Sequence, residues 1–174
     1  MNNITINQSV NRIYFMNKIY SIGYSGLSIT QFVTILQHSE IDMVVDVRLS
    51  PYSRIPYYRK KDLSGILTRA DIKYHHLPQW GNQNYRGTHG HNNTVLSSFE
   101  EGAKVFDQLR NENDKIAVMC MCSTHGACHR SDALSHYQKN WSMCDPFDLV
   151  LLRQENTISA SPSLEATHIQ ESLT

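Results

Sequence analysis

Net charge is the first thing this chain lacks. Lysine plus arginine number 16 and aspartate plus glutamate 16, so nothing global draws it toward nucleic acid or a membrane surface; any such affinity has to sit in a local patch. Long apolar runs are absent too: no stretch approaches the ~18 residues that a membrane-spanning helix needs. Cysteine is sparse, at four residues, too few in a chain of this size for a disulfide scaffold. The opening residues, "MNNITINQSVNRIYFMNKIY", contain no continuous apolar segment of the secretory kind, and there are no internal repeats. These absences leave a reduced, cytoplasmic, globular protein as the expectation. With 174 residues, 40% of them hydrophobic, it has enough material for one real core.

What is present is an alternation. Lys18 to Ile22 reads as a strand ending at Gly23, and Ser28 with Gln31 forms a capping-box signature ahead of the stripe Phe32, Ile35, Leu36. "MVVDV" (43–47) has the near-continuous apolar character of a strand buried on both faces. A helix over about 60–70, the strand "IKYHHL", a helix over about 96–110, the strand "IAVMCM", a helix over about 129–140 and the strand "FDLVLL" follow. Five strands separated by four helices predict a three-layer α/β domain of Rossmann-like kind, with a mostly parallel sheet and helices on both faces. Residues 16–153 form this single domain; the Asn-rich residues 1–15 read as a flexible extension and 154–174 as a polar, mobile tail.

Open parallel sheets carry their sites beyond the carboxyl ends of the strands. There this chain places Gly23-Tyr24-Ser25-Gly26, Asp46-Val47-Arg48, His75-His76-Leu77-Pro78 and the segment from Cys120 to Arg130. In "AVMCMCSTHGACHRSDALSHY" (117–137), Cys128 falls at the start of the last helix beside His129 and Arg130. Unpaired amides, the helix dipole and two basic neighbours would all lower its pKa, and the same helix end with Arg130 would hold an anion. The plainer reading of Cys120 is a buried strand residue. Thr124, not cysteine, stands six residues before Arg130, so the familiar sulfur- and phosphate-transfer loop is not formed. Cys120, Cys122, His125, Cys128 and His129 also supply ligands enough for a tetrahedral zinc, although C-x-C followed by C-x5-C is not a common knuckle.

A second constellation, "DVRLSPYSRIPYYRKK" (46–61), interleaves Arg48, Arg54, Arg59, Lys60 and Lys61 with three tyrosines and no acid after Asp46. Such a loop suits a nucleotide or single strand whose bases stack, or simply faces solvent. In "SIGYSG" the glycines would let a phosphate approach Gly23 and Ser25, or serve only as a tight turn. The long polar loop after Pro78, with Trp80, Tyr85, Arg86, His89 and His91, would fold as a lid over the strand ends.

In chain order, "YSIGYSG", "VVDVRLSPYSR", "IKYHHLPQWG" and "AVMCMCSTHGACHRSDAL" resemble the motifs of the bacterial and archaeal domain of unknown function 488 family, over roughly 19–152. The matching positions are Gly23, Ser25, Asp46, Arg48, Pro51, Ser53, Arg54, His76, Leu77, Pro78, Gly81, Cys120, Cys128, His129 and Arg130. Tyr24 stands where that family usually has histidine, and Cys122 where it commonly has an acid. The resemblance implies an α/β fold and no settled reaction. Should that acid do acid–base work in the family, Cys122 implies altered or lost chemistry here.

The leading expectation is a cysteine-dependent enzyme, of transferase or hydrolase type, with Cys128 or Cys122 as thiolate. His129 or His76 would act as acid/base and Asp46 would orient. Gly23, Ser25, Arg48, Ser53, Arg54 and Arg130 would bind a small anionic, phosphate-bearing or nucleotide-like ligand, with no cofactor and no membrane partner. The rivals are a non-catalytic nucleic-acid or nucleotide-binding module and a zinc-stabilised structural domain.

Overall fold

The computed structural model describes residues 17–84, 94–141 and 146–153. Five strands, β1 (Asn17–Gly23), β2 (Met43–Asp46), β3 (Lys73–His76), β4 (Ile116–Cys120) and β5 (Phe147–Leu151), alternate with four helices, α1 (Ile29–His38), α2 (Lys60–Arg69), α3 (Phe99–Glu112) and α4 (His129–Asn140). The predicted element types all form, with ends moved by a few residues. The three-layer α/β architecture is therefore the one expected.

Local chemistry sets the boundaries. Ser28 Oγ accepts from the Gln31 amide at 3.2 Å and Gln31 Oε1 accepts from the Ser28 amide at 2.8 Å, a complete capping box opening α1. Glu40 (φ 52°) and Asp71 (φ 57°) end α1 and α2 in the left-handed region. The Ile41 and Ile72 amides then reach back to the Leu36 and Leu67 carbonyls at 3.0 and 2.9 Å, and both isoleucines are buried. These contacts offset the strain of a non-glycine residue at the turn.

All strands are parallel, in the order β3-β2-β4-β1-β5. Phe32, Ile35 and Leu36 of α1 and Leu63 and Leu67 of α2 pack on the face carrying Tyr20, Ile22, Val44, Ala117 and Met119. Ala103 and Phe106 of α3 and Leu134 and Tyr137 of α4 cover the other, which carries Ile19, Val45, Ile116 and Val118. The neighbours β1 and β4 thus send their following helices to opposite faces, which opens the sheet's carboxyl edge between them.

Trp80 is a correction to the expected lid. It is fully buried, packs against Phe106 and Tyr137, and donates Nε1–H to the Phe99 carbonyl at 3.3 Å. Gly102 of α3 makes room for it, since a Cβ there would lie 2.4 Å from the indole. Tyr85, Arg86, His89 and His91 lie outside the described residues, as do both terminal segments. Among the described residues no helix is long and apolar enough to cross a membrane.

Candidate metal centre

β4 delivers the first sulfur. Strand alternation puts Cys120 on the same face as Ile116 and Val118, under α3 and α4. The chain beyond it is drawn along β1: the Tyr24 amide donates to the Cys120 carbonyl at 3.2 Å and the Ser25 amide to the Met121 carbonyl at 2.9 Å. This brings the Cys122 carbonyl against Gly23, where a Cβ would sit 1.8 Å from its oxygen, so only glycine fits. The loop then turns back, with the Cys128 amide donating to the His125 carbonyl at 3.0 Å, and Cys128 becomes the N-cap residue of α4.

The result is a pocket of sulfur and imidazole. The ligand atoms of Cys120, Cys128 and His129 all lie within 4.8 Å of one another. His129 Nδ1 is 3.8 Å from Cys120 Sγ and 3.9 Å from Cys128 Sγ, while Nε2 is 3.0 Å from the Val47 carbonyl. A carbonyl can only accept, so Nε2 carries the proton and Nδ1 turns a lone pair toward the sulfurs. A tetrahedral ion with Zn–S of ~2.3 Å and Zn–N of ~2.0 Å sets its ligand atoms roughly 3.5–3.8 Å apart. The two Nδ1–Sγ distances are close to that. Cys120 and Cys128 are buried and Cys122 is half-buried, interacting with both.

The lowered Cys128 pKa expected from the helix end is not what the pocket produces. Hydrogen bonding with the Cys120 and Cys122 thiols pushes it up, and burial adds to this, against a smaller opposing pull from His129. The Cys122 thiol, and then burial, likewise push Cys120 up to about 11, against the lowering effect of Cys128. For His129, burial disfavours the charge, but the Cys128 sulfur and the Val47 carbonyl outweigh it and leave the pKa raised. The Cys120 and Cys128 thiols are thus held protonated by their sulfur neighbours and by burial.

Arg130 and His125 lie beside this pocket. Arg130, 1% exposed, donates Nε–H to Ser21 Oγ at 2.7 Å and Nη1–H to the Cys122 carbonyl at 2.8 Å and to Cys128 Sγ at 3.4 Å. His125 Nδ1 is 2.8 Å from the same Ser21 Oγ, and burial together with Arg130 lowers its pKa. Ser21 is a positioning residue that the sequence reading did not single out; its signal was a lone polar residue in an apolar strand.

Asp46, Arg48 and His76 belong to the other face, the one α1 and α2 cover. Asp46 is fully buried; its carboxylate accepts from Arg48 Nε at 2.8 Å, Arg48 Nη2 at 2.6 Å and the Tyr74 hydroxyl at 2.6 Å. Arg48 Nη1 donates to the Tyr58 carbonyl at 2.9 Å and the Tyr24 hydroxyl at 3.2 Å. His76 Nε2 donates to the Arg48 carbonyl at 2.9 Å. Ser53, also buried, takes bonds from Tyr24 and from the Ile55 amide, whereas Arg54 is exposed. The predicted catalytic set therefore divides: Cys122, Cys128 and His129 meet, and Asp46 and His76 lie across the sheet from them. Arg48 and Arg130 turn their donors to internal acceptors rather than toward a shared ligand.

Gly23 and Ser25 line a cleft of about 430 Å³ with Ser123, Thr124, Leu152 and Arg153, at the carboxyl ends of β1, β4 and β5. Leu152 and Arg153 reach it only because β5 pairs with β1, which no local pattern announces.

A search of curated proteins finds no significant match to this chain. The family model described as Domain of unknown function DUF488 matches residues 28–137. That span takes in β2, β3, β4, the Cys/His segment and most of α4. It covers well over half of the sequence, and the chain belongs to this family.

Proposed function

We propose that this chain is a metal-stabilised α/β binding domain, with zinc held by Cys120, Cys122, Cys128 and His129. The observation that carries the reading is the His129 ring, whose Nε2–H is anchored on the Val47 carbonyl while Nδ1 faces two sulfurs. Metal-ligating histidines are oriented by such a second hydrogen bond, and thiolate with imidazole selects zinc over hard cations. Cys120, Cys128 and His129 bring their ligand atoms together, and Cys122, which interacts with both other thiols, is the residue that would take the fourth position. The ion ties the end of β4 to the start of α4 and, through His129, to β2. It thereby fixes the loop 121–128 as one wall of the neighbouring cleft, which receives a small anionic ligand beside Ser25, Ser123, Thr124 and Arg153.

Cobalt substitution tests this. The reading predicts thiolate-to-cobalt charge-transfer absorption and a tetrahedral visible spectrum, lost in Cys128→Ser and altered in His129→Asn. A cobalt spectrum unchanged by both substitutions would sink it.

One observation favours a second reading, a cysteine-dependent enzyme: Arg130 Nη1 donates to Cys128 Sγ at 3.4 Å, which would support a thiolate. That reading requires a metal-free protein in which Cys128 alkylates ahead of Cys120 and Cys122 at neutral pH.

A further inference from the structure

The loop between β2 and α2 carries an exposed set of aromatic and basic side chains that the metal centre does not use. Tyr52 is 68% exposed and Tyr57 55%, with Ile55 between them at 46%. Rings left this open are unusual in a loop that is otherwise well anchored. Arg54, Arg59, Lys60 and Lys61 are exposed as well, and no acid occurs between Asp46 and Asp62 in the first turn of α2. Among the described residues none of these four cations forms an ion pair.

The scaffold beneath is rigid. Tyr58 is fully buried, stacks on Tyr24 at 4.1 Å and has its carbonyl held by Arg48. The Lys60 amide donates to the Pro51 carbonyl at 3.0 Å, closing the loop on itself. Arg59 donates Nε–H to the Ser53 carbonyl at 3.1 Å and lies over the Tyr52 ring at 5.4 Å, fixing that ring at the surface. The buried Asp46–Arg48 pair thus has a consequence at the surface, because it holds the residue from which the loop projects. A loop ordered before binding loses little entropy when it binds.

We propose that this loop is a binding surface for single-stranded nucleic acid, with bases stacking on Tyr52 and Tyr57 and phosphates meeting Arg54, Lys60 and Lys61. Flat, exposed rings among unpaired cations match alternating bases and phosphates, and neither feature alone would. The chain as a whole is neutral, so attraction has to come from a local patch such as this loop, and it falls steeply with salt.

The test is fluorescence anisotropy of a labelled oligothymidylate of about 20 nucleotides with the full chain. Three phosphate contacts predict a slope of roughly −2 for log affinity against log salt. Tyr52→Ala with Tyr57→Ala weakens binding about tenfold or more, and the Phe pair restores it. Arg54→Gln with Lys60→Gln and Lys61→Gln flattens the salt slope. Because all five side chains are exposed, the fold, followed by circular dichroism, stays intact. The proposal is overturned if the oligonucleotide does not bind at low salt, or if the alanine pair binds as well as the parent. Tighter binding to phosphatidylserine vesicles or to duplex DNA, unaffected by the tyrosines, also overturns it.

Discussion

The two faces of one sheet edge, only a strand's thickness apart, treat their polar groups in opposite ways. On the α1/α2 side, Asp46, Arg48, Tyr24, Tyr58, Tyr74 and His76 form a closed network in which opposite charges and donors match. On the α3/α4 side, His129 Nδ1 faces the sulfurs of Cys120 and Cys128, the thiol of Cys122 interacts with both, and Arg130 donates to Cys128. A network whose members satisfy one another is structure. A gathering of soft sulfur and nitrogen donors at one point is a place for a cation.

If that contrast is sound, perturbations on the two sides separate. The largest effect should come from chelator. A metal present at about a thousand times its Kd stabilises by about 4 kcal/mol, so its removal should lower Tm by roughly 8–16 °C in a chain of this length. Scanning calorimetry with and without chelator measures this, and full reversal on adding zinc is expected. Next comes Arg48→Met, which leaves Asp46 buried without its counter-charge and should cost about 3–5 kcal/mol in urea titration while leaving metal content at the parental level. Adding Asp46→Leu should recover part of that loss, because an apolar pair needs no solvation. Gly23→Ala should cost about 1–3 kcal/mol and, unlike Arg48→Met, should also weaken metal retention, because the new methyl displaces the Cys122 carbonyl. Tyr52→Ala should change stability by no more than about 0.5 kcal/mol, since its ring is exposed at the surface beneath Arg59.

Much of this was readable in the sequence. The β-branched run at 43–47, the Ser28/Gln31 box and the position of Cys128 at a helix start are local signals, and each formed as expected. The motifs also do gather at one edge. What local patterns lacked was the register between strands. Asp46 pairs with Met119, one residue short of Cys120, and with a period of two that single step sends carboxylate and sulfur to opposite faces. The proposed partnership of Asp46 with Cys128 therefore depended on a parity no local stretch encodes. Trp80 was misjudged for a related reason. Its burial depends on Gly102 in a distant helix, and a glycine on the otherwise apolar face of α3 was the only trace of it.

The most direct test of the centre is elemental analysis of protein purified without chelator, paired with thiol titration of the folded chain. Close to one zinc per chain is expected, with Cys120, Cys122 and Cys128 unreactive until a chelator releases them. A metal-free protein whose Cys120, Cys122 and Cys128 all react in the native state would contradict it.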